Sequence, residues 1–173
     1  MPWAVAWQPI WPEYWRPYSW RIYSLHNYRK PMISFLTENI KMPSLDRKAV
    51  KAWVTAVAAT YQGRKVGNLN YIFCNDERIL EVNKEFLGHD YYTDIITFDY
   101  SEPGVVSGDM FISLETVLSN SEKFRTSYDK ELLRVIIHGV LHLCGMNDKG
   151  RGERALMEAA ENRALDMWYN KQF

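Results

Sequence analysis

Two spacings of apolar residues organise the chain from Ile33 onward. Every second position is apolar where a strand would bury one face, and every third or fourth where a helix would. Ile33-Ser34-Phe35-Leu36 opens a strand that ends at Thr37. Ser44 is placed to cap a helix reaching about Tyr61, with Ala49, Val50, Trp53, Val54, Val57 and Ala58 on its apolar face. Leu69, Tyr71 and Phe73 alternate through residues 68–74, a second strand. Asp76 then opens a short helix carrying Ile79, Leu80, Val82 and Phe86 and stopped near Gly88. Residues 95–98 and 109–113 are two more strands, and the short Glu102-Pro103-Gly104 turn between them predicts an antiparallel pair. Helices follow over about 114–124, from a cap at Thr126 or Ser127 to Cys144, and over about 152–169. The last carries Leu156, Met157, Ala160, Ala164 and Trp168 on one face. Strands mixed with helices in this order predict an α+β fold, an α/β sandwich with a mixed sheet of about four strands and about five helices.

The helix ending at Cys144 is unlike the others. Leu132, Leu133, Val135, Ile136, Ile137, Val140, Leu141 and Leu143 make it apolar on nearly every side, which places it in the core. Its polar residues near the end are His138 and His142, followed by Gly145 and Asp148. Positions i and i+4 of a helix project from one face, so the two imidazoles point together. Gly145 is able to take the left-handed conformation that ends a helix and reverses the chain, which would bring Asp148 back towards them. Two histidines and a carboxylate with a fourth position open is the ligand set of a catalytic zinc site. The pattern therefore predicts one Zn2+ held by His138, His142 and Asp148.

Composition narrows the picture. A chain of 173 residues suffices for one domain with a real core. Residues 1–31 carry Arg16, Arg21, Arg29 and Lys30 against Glu13, a net of +3, so the remaining 142 residues sum to −3 in a chain of zero net charge. A mildly acidic domain requires a local basic patch for any nucleic-acid contact. Five of the seven tryptophans and five of the seven prolines fall in residues 1–31, and Pro2 and Gln8 break the apolar run that a signal peptide needs. With Met32 directly before the first strand, residues 1–31 are expected to be a poorly ordered extension or a mis-assigned start, and residues 32–173 the functional domain. Cys74 and Cys144 are too few for a disulfide framework and suit a reducing cytoplasm, with Cys144 read as a buried structural thiol. No stretch approaches the ~20 apolar residues of a bilayer span.

Other polar residues offer chemistry less specifically. In H-E-x-x-H peptidases a glutamate general base follows the first histidine; here Gly139 cannot accept a proton, and it suits either close approach of substrate or tight packing. His89 is a candidate proton shuttle or phosphate contact, or a plain loop residue. Tyr91 and Tyr92 are candidate base-stacking residues or partly buried packing. Asp109 is a candidate to orient a histidine, or a turn cap. Arg134, Lys149, Arg151 and Arg154 lie near the metal motif in sequence.

The run His138-Gly139-x-Leu141-His142-Leu143-x-Gly145, with Thr93-Asp94-Ile95-Ile96-Thr97-Phe98 and Gly108-Asp109-Met110-Phe111-Ile112 upstream, closely resembles the YbeY endoribonucleases from about Met32 to the C-terminus. The resemblance implies a metalloprotease-like, zincin-like fold and a metal-dependent endoribonuclease of the cytoplasm that cuts single-stranded RNA. It further implies maturation of the 16S rRNA 3′ end on the small ribosomal subunit and clearance of defective ribosomes. Two positions depart from the family pattern. Asp148 stands where a third histidine is usual, and a carboxylate remains a sound zinc ligand. Leu87 stands where an arginine is common, so either another cation, Lys84 or Arg134, takes its role or RNA cleavage here is weaker or different. Two other functions are open to the same residues: a different metallohydrolase such as a peptidase or amidase, and a ribosome-assembly factor with a structural metal.

Overall fold

The computed structural model describes residues 32–173 and the backbone of residues 4–6. Strand β2 (Ile33–Glu38) leads through helix α1 (Arg47–Ala59) to β3 (Lys65–Cys74). Helix α2 (Asp76–Leu87) follows, then β4 (Ile95–Asp99), β5 (Val105–Ser113), α3 (Leu114–Lys123), α4 (Tyr128–Leu143) and α5 (Glu153–Tyr169). A three-residue strand, β1 (Ala4–Ala6), pairs in parallel with β4. The sheet order is β1-β4-β5-β3-β2, in which β2–β3 and β3–β5 are parallel and β4–β5 antiparallel. The expected α+β class, the four strands of the domain and the five helices are all present. β1 was not expected; its backbone fills the hydrogen-bonding edge that β4 would otherwise expose. The expected disorder of the rest of residues 1–31 lies outside the described residues.

Element boundaries moved where a better cap was at hand. α1 starts after Asp46, not Ser44, because Asp46 accepts from the Ala49 backbone N–H. α2 starts after Asn75, which accepts from Arg78 N, and Gly88 closes it with φ +64°. β3 and β5 begin at Lys65 and Val105, earlier than the alternation alone indicates, since their ends pair with each other. The sheet divides two cores. On one face Leu69, Tyr71, Phe73, Val106, Met110 and Ile112 pack against α1, α4 and α5. On the other, Ile72, Ile96, Phe98 and Phe111 pack against Ile79 and Val82 of α2. The Trp53 indole N–H donates to the Ala164 carbonyl at 2.8 Å, tying α1 to α5. Leu156, expected on the buried face of α5, is 64% exposed; the stripe runs instead through Met157, Ala160, Glu161, Ala164 and Leu165.

Candidate metal centre

Helix α4 is capped by Ser127, whose side chain accepts from Lys130 N, and every residue from Val135 to Leu143 is buried. At its other end Gly145 takes φ +90°. Its N–H donates to the His142 carbonyl and that of Met146 to the Leu141 carbonyl, the paired bonds of a Schellman turn. The turn does two things for the site. It returns the chain so that Asp148 reaches the histidine face, and it aims the Met146 carbonyl at His142 Nδ1, 2.8 Å away. Arg64 Nη1 donates to the Leu143 carbonyl at 3.1 Å and secures the same helix end.

His138 Nδ1 lies 2.6 Å from Glu161 Oε1, and Arg134 Nη1 donates to Glu161 Oε2 at 2.9 Å. A carbonyl and an ionised carboxylate only accept, so both Nδ1 atoms carry hydrogen, and Nε2 is the nitrogen that each ring, once neutral, offers to a metal. The two Nε2 atoms are 2.8 Å apart, with Asp148 Oδ2 at 3.9 and 4.0 Å from them. Oδ2 of Asp148 is buried and accepts no hydrogen bond among the described residues. Lone pairs facing one another across such gaps repel unless a proton or a cation lies between them. Donors about 2.0–2.1 Å from a tetrahedral zinc ion stand about 3.3 Å apart, so the spacing and donor types fit a metal ion. His138, His142 and Asp148 are the group of His, Cys, Asp and Glu side chains able to hold a metal among the described residues.

Electrostatics favour the ligand forms. Burial, reinforced by the neighbouring His138, lowers the His142 pKa to about 4, so the ring is neutral near pH 7. Burial pushes Glu161 up, but its bonds to His138 and Arg134 outweigh this and hold it below the ordinary carboxylate range. Beside them Asp94 is buried, accepts from Asn120 Nδ2 at 3.2 Å, and is raised by burial to about 7 against the pull of His138.

The other sequence candidates lie elsewhere. Gly139 faces the sheet: a Cβ there would lie 2.7 Å from Met110 Sδ and 2.9 Å from Ile95 Cδ1, so tight packing against the strands explains it. Asp109 does not orient a histidine; it accepts from Asn70 Nδ2 at 2.7 Å, on the face opposite its neighbour Met110 and therefore away from α4. His89 stacks on Tyr91 and shares a hydrogen bond with its hydroxyl, while Tyr92 is exposed. Lys84 pairs with Asp90, and Leu87 packs beside Phe86 against the α2-side core. Arg134 does reach the site, through Glu161. Cys144 is buried, with burial raising its thiol to about 11, and lies outside the ligand group. Glu161 was missed from sequence. Its signal was a carboxylate inside the apolar stripe of α5, between Ala160 and Ala164.

Among the described residues no helix is long and apolar enough to cross a membrane. A family model described as "Endoribonuclease YbeY" matches residues 32–169. An endoribonuclease YbeY of Phocaeicola vulgatus is 63% identical over 134 residues, covering 78% of this chain and 96% of that protein. One of Porphyromonas gingivalis is 51% identical over 135 residues, covering 78% and 89%. A solution structure from Thermotoga maritima, 28% identical, superposes with a TM-score of 0.56 over 81% of this chain and 93% of that one. With a core helix carrying two histidines, a turn that returns an aspartate to them, and these matches across residues 32–169, the chain belongs to the YbeY endoribonuclease family.

Proposed function

We propose that the chain is a metal-dependent endoribonuclease that hydrolyses phosphodiester bonds of single-stranded RNA, with one zinc ion held by His138, His142 and Asp148. The observation that carries this reading is the convergence of two imidazole Nε2 atoms and a buried carboxylate oxygen that accepts no hydrogen bond, in a chain of this family. When bound, the ion supplies Lewis acidity to a phosphate oxygen and makes water acidic enough to lose a proton near neutral pH. The chain's own residues prepare the cage. Glu161 holds a proton at His138 Nδ1, the Met146 carbonyl holds one at His142 Nδ1, and Arg134 keeps Glu161 ionised and in place. The physiological substrate in this reading is the 16S rRNA precursor on the small ribosomal subunit, in the cytoplasm, and residues 32–173 act as a single catalytic domain. The resemblance of the His138–Gly145 and Thr93–Phe98 runs to the family supports this finer assignment.

The test is cleavage of unstructured RNA by the purified full-length chain, with and without a chelator, beside His142→Ala. Cleavage confined to the untreated wild type is expected, together with zinc in elemental analysis of protein purified without a metal-chelating tag. Equal cleavage in all three samples would falsify the reading.

A further inference from the structure

The metal ligands alone do not hold a polyanion. A cavity of about 430 Å3 opens beside them, lined by His138 and Asp148 and also by Phe124, Arg125, Lys130 and Arg154. The last four come from three separate places in the fold: the α3–α4 connection, the first turn of α4 and the first turn of α5. Arg134, which lines the same cavity, is committed to Glu161. Arg125, Lys130 and Arg154 enter no ion pair among the described residues. Of the cavity's remaining acids, Glu131 lies 3.8 Å from Arg134 and Glu161 is taken by His138 and Arg134, which leaves Glu158 facing three cations.

Two further features single out this wall. Phe124 is 59% exposed, an aromatic ring at the cavity edge with the Lys123 ammonium 5.5 Å from its centroid. Arg125 follows the C-cap of α3 with φ +54°, a position that glycine fills with less strain. The chain thus places a cation at the cavity where backbone geometry alone favours a residue without a side chain.

We propose that this wall seats the RNA strand next to the bond that is cut. Arg125, Lys130 and Arg154 hold backbone phosphates, and Phe124 stacks on an unpaired base. The assignment rests on the endoribonuclease reading and adds to it the residues that take the substrate. It also accounts for selectivity: a base already stacked in a duplex cannot cover the Phe124 ring, whereas a single strand offers one freely.

The test is fluorescence anisotropy of a short labelled oligouridylate with the full-length chain, read before cleavage accumulates. Phe124→Ala is expected to weaken binding about 5- to 150-fold, from stacking worth roughly 1–3 kcal/mol per base, and to leave duplex binding unchanged. In the R125G/K130Q/R154Q variant the slope of log affinity against log salt is expected to fall by about 2, at roughly 0.7 per lost contact. Arg125→Gly alone separates structure from binding: its melting temperature should hold or rise while affinity drops severalfold, and a purely structural arginine would give the reverse. Lys51→Gln, on α1, is the control and should bind as wild type. Wild-type affinity and salt slope in all the wall variants, with cleavage intact, would overturn this proposal and leave the endoribonuclease reading standing. Absence of both binding and cleavage in the wild type would remove both.

Discussion

The two faces of the sheet are built to different tolerances. On the α2 face the contacts are between ordinary side chains, with Phe98 meeting Phe86 and Phe111 edge to face at 5.3 and 6.0 Å. On the α4 face two glycines bring backbone and side chains into closer approach. Gly108 of β5 lies beneath Leu143, and Gly139 of α4 lies over Met110 and Ile95. The candidate metal centre is on this face, and so is the buried network Arg134–Glu161–His138. Ligands a few tenths of an ångström out of place lose a metal, whereas an aliphatic core tolerates such shifts. The closely seated helix is the one that carries two of the three candidate metal ligands.

This comparison breaks most sharply at Gly108. A Cβ there would lie 2.5 Å from the Phe98 carbonyl oxygen and 3.0 Å from Leu143 Cδ2, and the first of these is backbone held in the β4–β5 ladder. Gly108→Ala should cost about 3 kcal/mol, the upper range for overpacking. Gly139→Ala should cost about 1 kcal/mol or less. Its neighbours are the ends of flexible side chains, and the helix gains roughly 1 kcal/mol of propensity. Urea unfolding of both variants measures the difference, and equal losses would contradict the account of how α4 is seated.

Titration gives the next effect, in the metal-free protein. The His142 pKa of about 4 lies below its ordinary value of 6.5, so its contribution to stability is complete above about 6.5 and is lost as pH falls towards 4. Asp94, raised from 3.8 to about 7, works in the opposite sense: its contribution is complete below 3.8 and is lost as pH rises to 7. Between pH 4 and 6.5 the two slopes oppose and the wild type should change little. Asp94→Asn removes one of them, and its stability should fall on the order of 3 kcal/mol from pH 7 to pH 4. A flat profile for that variant would show that the two buried groups do not titrate as their surroundings imply.

Periodicity carried most of the fold into the sequence. The helices on either side of the sheet, the antiparallel β4–β5 pair and the apolar wrap of α4 were all legible, because burial on one face or on all sides leaves a spacing that can be counted. Cap choice was not, since Ser44 and Asp46 both qualify and only the tertiary path decides between them. The convergence of His138, His142 and Asp148 was legible because one helical turn and one Schellman turn make it almost wholly local. Glu161 was not, because its partner is 23 residues away on another helix. Asp109 misled for the complementary reason: a strand residue's face is set by register, and its neighbour Met110 took the side towards α4.

Glu161 and Asp109 make the finest test of the comparison, because they are buried carboxylates on opposite faces. Glu161→Gln keeps the side chain's size and an oxygen able to face His138, but loses the charge that holds the imidazole proton at Nδ1. Zinc affinity should fall about 10- to 100-fold, equivalent to roughly 1.4–2.7 kcal/mol, as for other residues that orient metal-bound histidines. Asp109→Asn loses charge at the Asn70 bond on the far face. Its cost should appear as about 1 kcal/mol of fold stability with zinc affinity unchanged. Competition against a chromogenic chelator reads the first quantity and urea unfolding the second. If Asp109→Asn weakened zinc as much as Glu161→Gln, the two faces would be coupled through the sheet, and the precision of the site would belong to the whole fold instead of to the seat of α4.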